Sequence, residues 1–127
     1  MSAPFNPGYR LIIVKAIVFG PADRVSASLA LDTGASTTTL SLPLLRLAGY
    51  IPEAAPEQIR IVTGSGAQFV PRLSLDKIEA LGQTRTNLPI LCHTLPPSVT
   101  VDGLLGLDFL RDRRLTIDFR AGRVTLR

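Results

Sequence analysis

Leu31-Asp32-Thr33-Gly34-Ala35-Ser36-Thr37 is the stretch whose reading decides the fold. The run ahead of it, Val25 to Leu31, is largely apolar and reads as a strand. It feeds directly into Asp-Thr-Gly, where glycine allows the chain to bend sharply. A carboxylate is thereby set at the end of a strand, and the triplet occurs only once in the 127 residues.

Outward from that turn the chain is short-period β structure. Ten glycines and ten prolines punctuate brief runs rich in Val, Ile, Leu and Thr, the pattern of an all-β domain with many turns. Tyr9 to Phe19 reads as a first strand, Gly20 to Asp23 as a turn, and Val25 to Leu31 as the return. Thr38 to Leu40 extends the chain again. Ser41 is placed as an N-cap with Pro43 early in the helix that follows, and Gly49 ends that helix. Gln58 to Val62 and Ala67 to Val70 flank Thr63-Gly64-Ser65-Gly66 and read as a hairpin with a mobile tip. Leu73 to Leu81 and Thr86 to Cys92 read as a second hairpin around Gly82-Gln83, and His93 to Ser98 as a loop. Val101 to Leu105 reads as a short strand, Leu107 to Arg113 as one or two helical turns, Arg114 to Arg120 as a half-buried strand, and Arg123 to Arg127 as the closing one. No segment repeats, so residues 1–127 are expected to form a single domain.

Bulk properties exclude several classes. A chain 46% hydrophobic and 19% charged folds without staples. Cys92 is the only cysteine, so no internal disulfide can form, and a reducing, cytoplasmic setting is the expectation. Met1 to Gly8 has no charged leader, and Lys15 interrupts the apolar run Leu11 to Phe19, so neither a signal peptide nor a membrane span is expected. The net charge of +4 gathers in Arg111, Arg113, Arg114, Arg120, Arg123 and Arg127. Asp108, Asp112 and Asp118 interleave with them and no aromatic stacking platform accompanies them, which argues for a solvated face and against nucleic-acid binding.

The Asp-Thr-Gly turn carries the chemistry. A peptide bond can be cut by water held between two carboxyl groups, one taking the water's proton and the other, protonated, polarising the carbonyl. Two carboxyls this close share a proton. Gly34 lets the backbone approach Asp32 and donate an N–H, and the Thr33 hydroxyl is suited to bridge to a neighbouring loop. The triplet alone arises by chance in roughly 2% of chains this long, and its plain reading is a turn with an Asx-type bond. Context raises it: a strand before, Ala35-Ser36 after, and Asp102-Gly103-Leu104-Leu105-Gly106-Leu107-Asp108-Phe109-Leu110 downstream.

With these two patterns the chain resembles the retropepsin-like (retroviral-type) aspartic proteases, above all their bacterial and cellular branch. The resemblance spans nearly the whole chain. It implies an all-β acid-protease fold with one or two short helices, forming half of a two-fold symmetric dimer. It puts Asp32, Thr33 and Gly34 on the catalytic triplet, Leu104-Leu105-Gly106 on the hydrophobic-hydrophobic-glycine unit, and Thr63, Gly64, Ser65 and Gly66 on the flap tip. Arg123 to Arg127 falls where the family's terminal strand joins a sheet shared between subunits. The implied activity is that of a homodimeric aspartic endopeptidase on polypeptide substrates, needing no metal or other cofactor. Leu31, Ala35, Ser36, Ile61, Val62 and Leu104 are the expected substrate contacts besides the flap tip. Viral members carry an acidic residue at the position of Ser36 and Arg-Asn at Leu107-Asp108, so their stabilising ion pair has no counterpart here. Ala35 also lacks the hydroxyl that pepsin-like enzymes set beside the aspartate, and a less acidic pH optimum follows as an expectation.

Other readings weigh less. Adjacent Cys92 and His93 on a strand would point to opposite faces and form no dyad. Cys92 reads as a buried small hydrophobe, and His93 as a surface residue. Asp102 reads as a turn residue and Asp108 as a cap of the short helix. A protease fold kept only for dimerisation or peptide binding is the main alternative, since fold does not dictate function. A phosphate loop of an actin-like ATPase demands a far larger, two-lobed chain.

Overall fold

The computed structural model describes all residues, 1–127. Ten strands and two short helices follow in order: β1 (Ser2–Pro4), β2 (Ile13–Phe19), β3 (Arg24–Leu31), β4 (Thr39–Leu40), α1 (Leu42–Leu47), β5 (Glu57–Thr63), β6 (Gly66–Ala80), β7 (Gln83–Cys92), β8 (Gly103–Leu105), α2 (Leu107–Leu110), β9 (Leu115–Asp118) and β10 (Arg123–Leu126). Seven strands pair in the order β2-β3-β8-β4-β7-β6-β5, and β2 also pairs with β6. That extra pairing, Ala16 to Phe19 against Ala80 to Lys77, rolls the sheet into a closed barrel from which β5 projects along the outer part of β6.

Alternation along the strands fills the barrel. Val14, Ala16 and Val18 of β2 face inward with Ala27 and Leu29 of β3, Leu75 and Ile78 of β6, Ile90 of β7 and Leu105 of β8. Leu44 and Leu45 of α1 and Phe109 of α2 join the same core. Ser41 caps α1 as its sequence suggests, its hydroxyl accepting the Leu44 N–H at 3.3 Å. Gly49 adopts φ +99° just beyond the helix, packed so tightly on Ala22 that a side chain would collide with its backbone.

Several boundaries move. The first long strand begins at Ile13 and not Tyr9, because Asn6 to Tyr9 closes a turn with the Tyr9 N–H on the Asn6 carbonyl. The two runs separated by Pro71 form one continuous strand, β6. Its ladder with β7 starts only at Arg72, so the missing proline N–H breaks no bond on that edge. The β6–β7 turn is Leu81-Gly82, both at positive φ (52° and 75°), one residue earlier than expected. Ser2–Pro4 pairs with β10, a contact with no local sequence signal. β10 thus lies between β1 and β9 of its own chain, in a three-stranded sheet. Within the chain both edges of β10 are filled, and the outer edges of β1 and β9 are open.

Two parallel pairings position the site. β8 slots between β3 and β4, parallel to the first and antiparallel to the second, and β4 runs parallel to β7. The strand that ends in Asp32, the segment after it and the Leu104-Leu105-Gly106 unit are thereby brought side by side. Gly103 makes this possible, since a Cβ there would lie 2.0 Å from the Thr39 carbonyl oxygen.

Candidate active site

Asp32 sits where β3 leaves the barrel. Its N–H is fixed on the Leu105 carbonyl at 3.0 Å, and its own carbonyl accepts the Ala35 N–H at 3.2 Å, closing the turn. One carboxylate oxygen, Oδ1, accepts the Gly34 N–H at 2.8 Å. A Cβ on residue 34 would stand 3.2 Å from that oxygen, so glycine keeps this approach open. Asp32 is half-buried and Thr33 is exposed.

The turn is laced to α2. The Leu107 N–H donates to the Ala35 carbonyl at 2.8 Å. The Gly106 N–H donates to Thr38 Oγ1 at 3.1 Å, and that hydroxyl donates onward to Asp108 Oδ1 at 2.7 Å. Both Asp108 oxygens also receive the Thr38 N–H, at 3.0 and 2.9 Å. Asp108 does take the Phe109 N–H within its helix, at 2.9 Å, but its larger role is to hold the segment after the Asp32-Thr33-Gly34 turn. Arg85 secures the far end of α2, donating from Nε to the Phe109 carbonyl at 3.2 Å and from Nη2 to the Arg111 carbonyl. Asp102 is likewise spent on structure: its Oδ2 takes the Ser28 N–H at 2.9 Å.

A groove of about 360 Å³ runs past the turn, lined by Gly34, Ala35, Ser36, Ile61, Val62 and Leu104 among the expected residues. Thr37, Thr39, Leu91, His93 and Leu95 also line it, and sequence reasoning missed them. The parallel β4–β7 pairing is what carries Leu91 and His93 there. Leu31 is not part of the groove; it packs against the core, with its N–H on the Ile12 carbonyl at 2.8 Å. The hairpin tip turns at Gly64-Ser65 between paired Thr63 and Gly66. Thr63, Gly64 and Ser65 border an adjoining crevice with Gln68, His93 and the loop Thr94 to Pro97. No group of three or more His, Cys, Asp or Glu side chains is gathered to hold a metal ion.

Nearby titrating groups are few. Cys92 is buried in the wall behind the groove, and its thiol is pushed up from 9.0, chiefly by burial and then by the charge of Glu53. It stands one residue from His93 but in the core, so the pair forms no dyad.

A strand ending in Asp-Thr-Gly, threaded beside a hydrophobic-hydrophobic-glycine strand and overhung by a hairpin, defines the retropepsin-like fold. The solved structure titled a retropepsin-like aspartic protease from Rickettsia conorii matches it with a TM-score of 0.73, over 99% of this chain and 88% of that one, at 19% sequence identity. The aspartyl protease family model matches residues 14–109, well over half of the chain, and the chain belongs to that family. No curated protein sequence matches it significantly.

Proposed function

We propose that the chain is a homodimeric aspartic endopeptidase whose single active site is assembled from one Asp32 of each subunit. The observation that carries this reading is the number of usable carboxylates. Water activation for peptide hydrolysis needs two. Asp32 opens the turn whose residues Gly34 to Thr37 line the groove, and no other acid lies in that turn or among the lining residues, while Asp102 and Asp108 are committed to backbone N–H groups of the same chain. The second carboxylate then comes from a second copy across a two-fold axis.

In that dimer the two Asp32 side chains share one proton. The ionised carboxylate takes a proton from the bound water as its oxygen attacks the scissile carbonyl. The protonated one donates to the carbonyl oxygen. Collapse of the tetrahedral intermediate breaks the C–N bond, with a proton passing to the leaving nitrogen. The Gly34 N–H holds Asp32 Oδ1 throughout. Exposed Thr33 lies beside the axis, where its hydroxyl can bridge the two turns. The substrate lies extended under the hairpins, held by main-chain hydrogen bonds. Ile61, Val62, Leu91, Leu95 and Leu104 make the side pockets apolar, so peptides with apolar residues flanking the cut are the preferred class.

Subunit mixing tests the shared site. Asp32→Asn should abolish peptide cleavage. Blends of wild-type and Asp32→Asn chains, after exchange, should lose activity as the square of the wild-type fraction. A linear loss would mean that each chain holds a complete site and would overturn the reading. Tight peptide binding by the wild type without any cleavage would instead mark a peptide-binding module.

A further inference from the structure

The hairpin over the groove is a cantilever. β5 and β6 pair with each other from Glu57–Arg72 to Thr63–Gly66, but the β6–β7 ladder that ties the hairpin to the barrel stops at Arg72. Beyond that point one side-chain hydrogen bond leaves the hairpin: Gln68 Nε2 to His93 Nδ1, 3.2 Å. Gln68 lies directly opposite Ile61, so both project from the face turned to the groove. His93 is fixed from the other side, its N–H on the Leu40 carbonyl at 3.0 Å, and its side chain lines the groove. A continuous path runs from the strand following the catalytic turn, through His93, to a point two residues from the hairpin tip.

We infer that His93 is a positioning residue, a latch that sets how readily the hairpin closes over bound peptide. The chain's only histidine is placed where no other side-chain hydrogen bond ties the hairpin to the barrel, and only buried Val70 packs the hairpin's base against it. An amide suits this partner, because Gln68 can offer either its N–H or its carbonyl oxygen to the ring nitrogen. Without the contact, the part of the hairpin beyond buried Val70 would be free to swing, as closing elements with few fixed contacts do.

This inference concerns the same site as the protease reading, so its test includes a measurement that needs no catalysis. Hydrogen exchange of amides 57–70 is compared in the wild type, His93→Ala, Gln68→Ala and the double variant. Each single change should speed exchange by about three- to tenfold, the loss of one ordinary hydrogen bond. The double variant should be no faster than either single. His93→Asn, whose amide can stand at the place of Nδ1, should restore slow exchange. In peptide cleavage His93→Ala should raise KM by more than it lowers kcat, because capture suffers before chemistry. Unchanged exchange in both singles, or additive effects in the double, would overturn the latch. Faster exchange in a protein that cleaves no peptide would support the latch and refute the protease.

Discussion

Thr38→Val is the sharpest probe of how the segment after the Asp32-Thr33-Gly34 turn is held. Valine matches threonine in shape, so the substitution removes a hydroxyl and little else. Thr38 is completely buried. Its hydroxyl receives the buried Gly106 N–H and donates to the Asp108 carboxylate. Leaving the Gly106 N–H unpaired costs about 1–3 kcal/mol, and losing the bond to a charged acceptor about 1.5–3 kcal/mol. The two losses share one atom and overlap, so about 3 kcal/mol is expected in all, within a total of about 5–15 kcal/mol for a domain. For a chain of this length that corresponds to a fall in Tm of roughly 10 °C. Urea denaturation at fixed protein concentration should show a lower midpoint with an unchanged slope. Thr38→Ser keeps the hydroxyl and loses one methyl, about 1 kcal/mol. The argument fails if Thr38→Val stays within about 0.5 kcal/mol of wild type, a difference typical of a neutral surface change. It fails equally if the serine variant is as unstable as the valine one, since the hydroxyl would then not be the cause.

Gly103→Ala should cost at least about 3 kcal/mol, the upper range for overpacking, because the new methyl meets the Thr39 carbonyl at 2.0 Å and neither backbone can yield; chemical denaturation checks it. Cys92 should react with iodoacetamide at pH 8 far more slowly in the folded protein than in urea, since burial both shields the thiol and raises its pKa above 9.0; equal rates would contradict its place in the core. Tyr50 donates to the Phe19 carbonyl at 2.7 Å and accepts the Asp76 N–H at 2.8 Å, so Tyr50→Phe should lose about 1–2 kcal/mol at neutral pH. Burial raises the Tyr50 pKa above 10.0, so the unfolded chain ionises first as pH rises. The stability held below pH 10 therefore declines through the folded-state value, and the gap between wild type and Tyr50→Phe should narrow in strongly alkaline buffer.

The sequence by itself determined the parts whose causes are local. Strand patterning, the Ser41 cap, the Gly64-Ser65 tip and the bend at Asp32-Thr33-Gly34 each follow from residues within one turn or one period of each other. The solitary triplet also raised the expectation of a second chain, because Asp-Thr-Gly occurs only once. What the sequence did not reveal depends on pairing between distant segments. The insertion of β8 between β3 and β4 turned Asp108 from a helix acid into the clasp on Thr38, 70 positions away. The parallel meeting of β4 and β7 moved His93 from an apparent surface loop to the groove wall, against Gln68 of the hairpin. The pairing of Ser2–Pro4 with β10 joined the two ends of the chain in one sheet. In each case short, weakly marked segments are chosen as neighbours by backbone hydrogen bonding and by closure of the barrel core. That selection is made by the whole packed chain, and no local pattern encodes it.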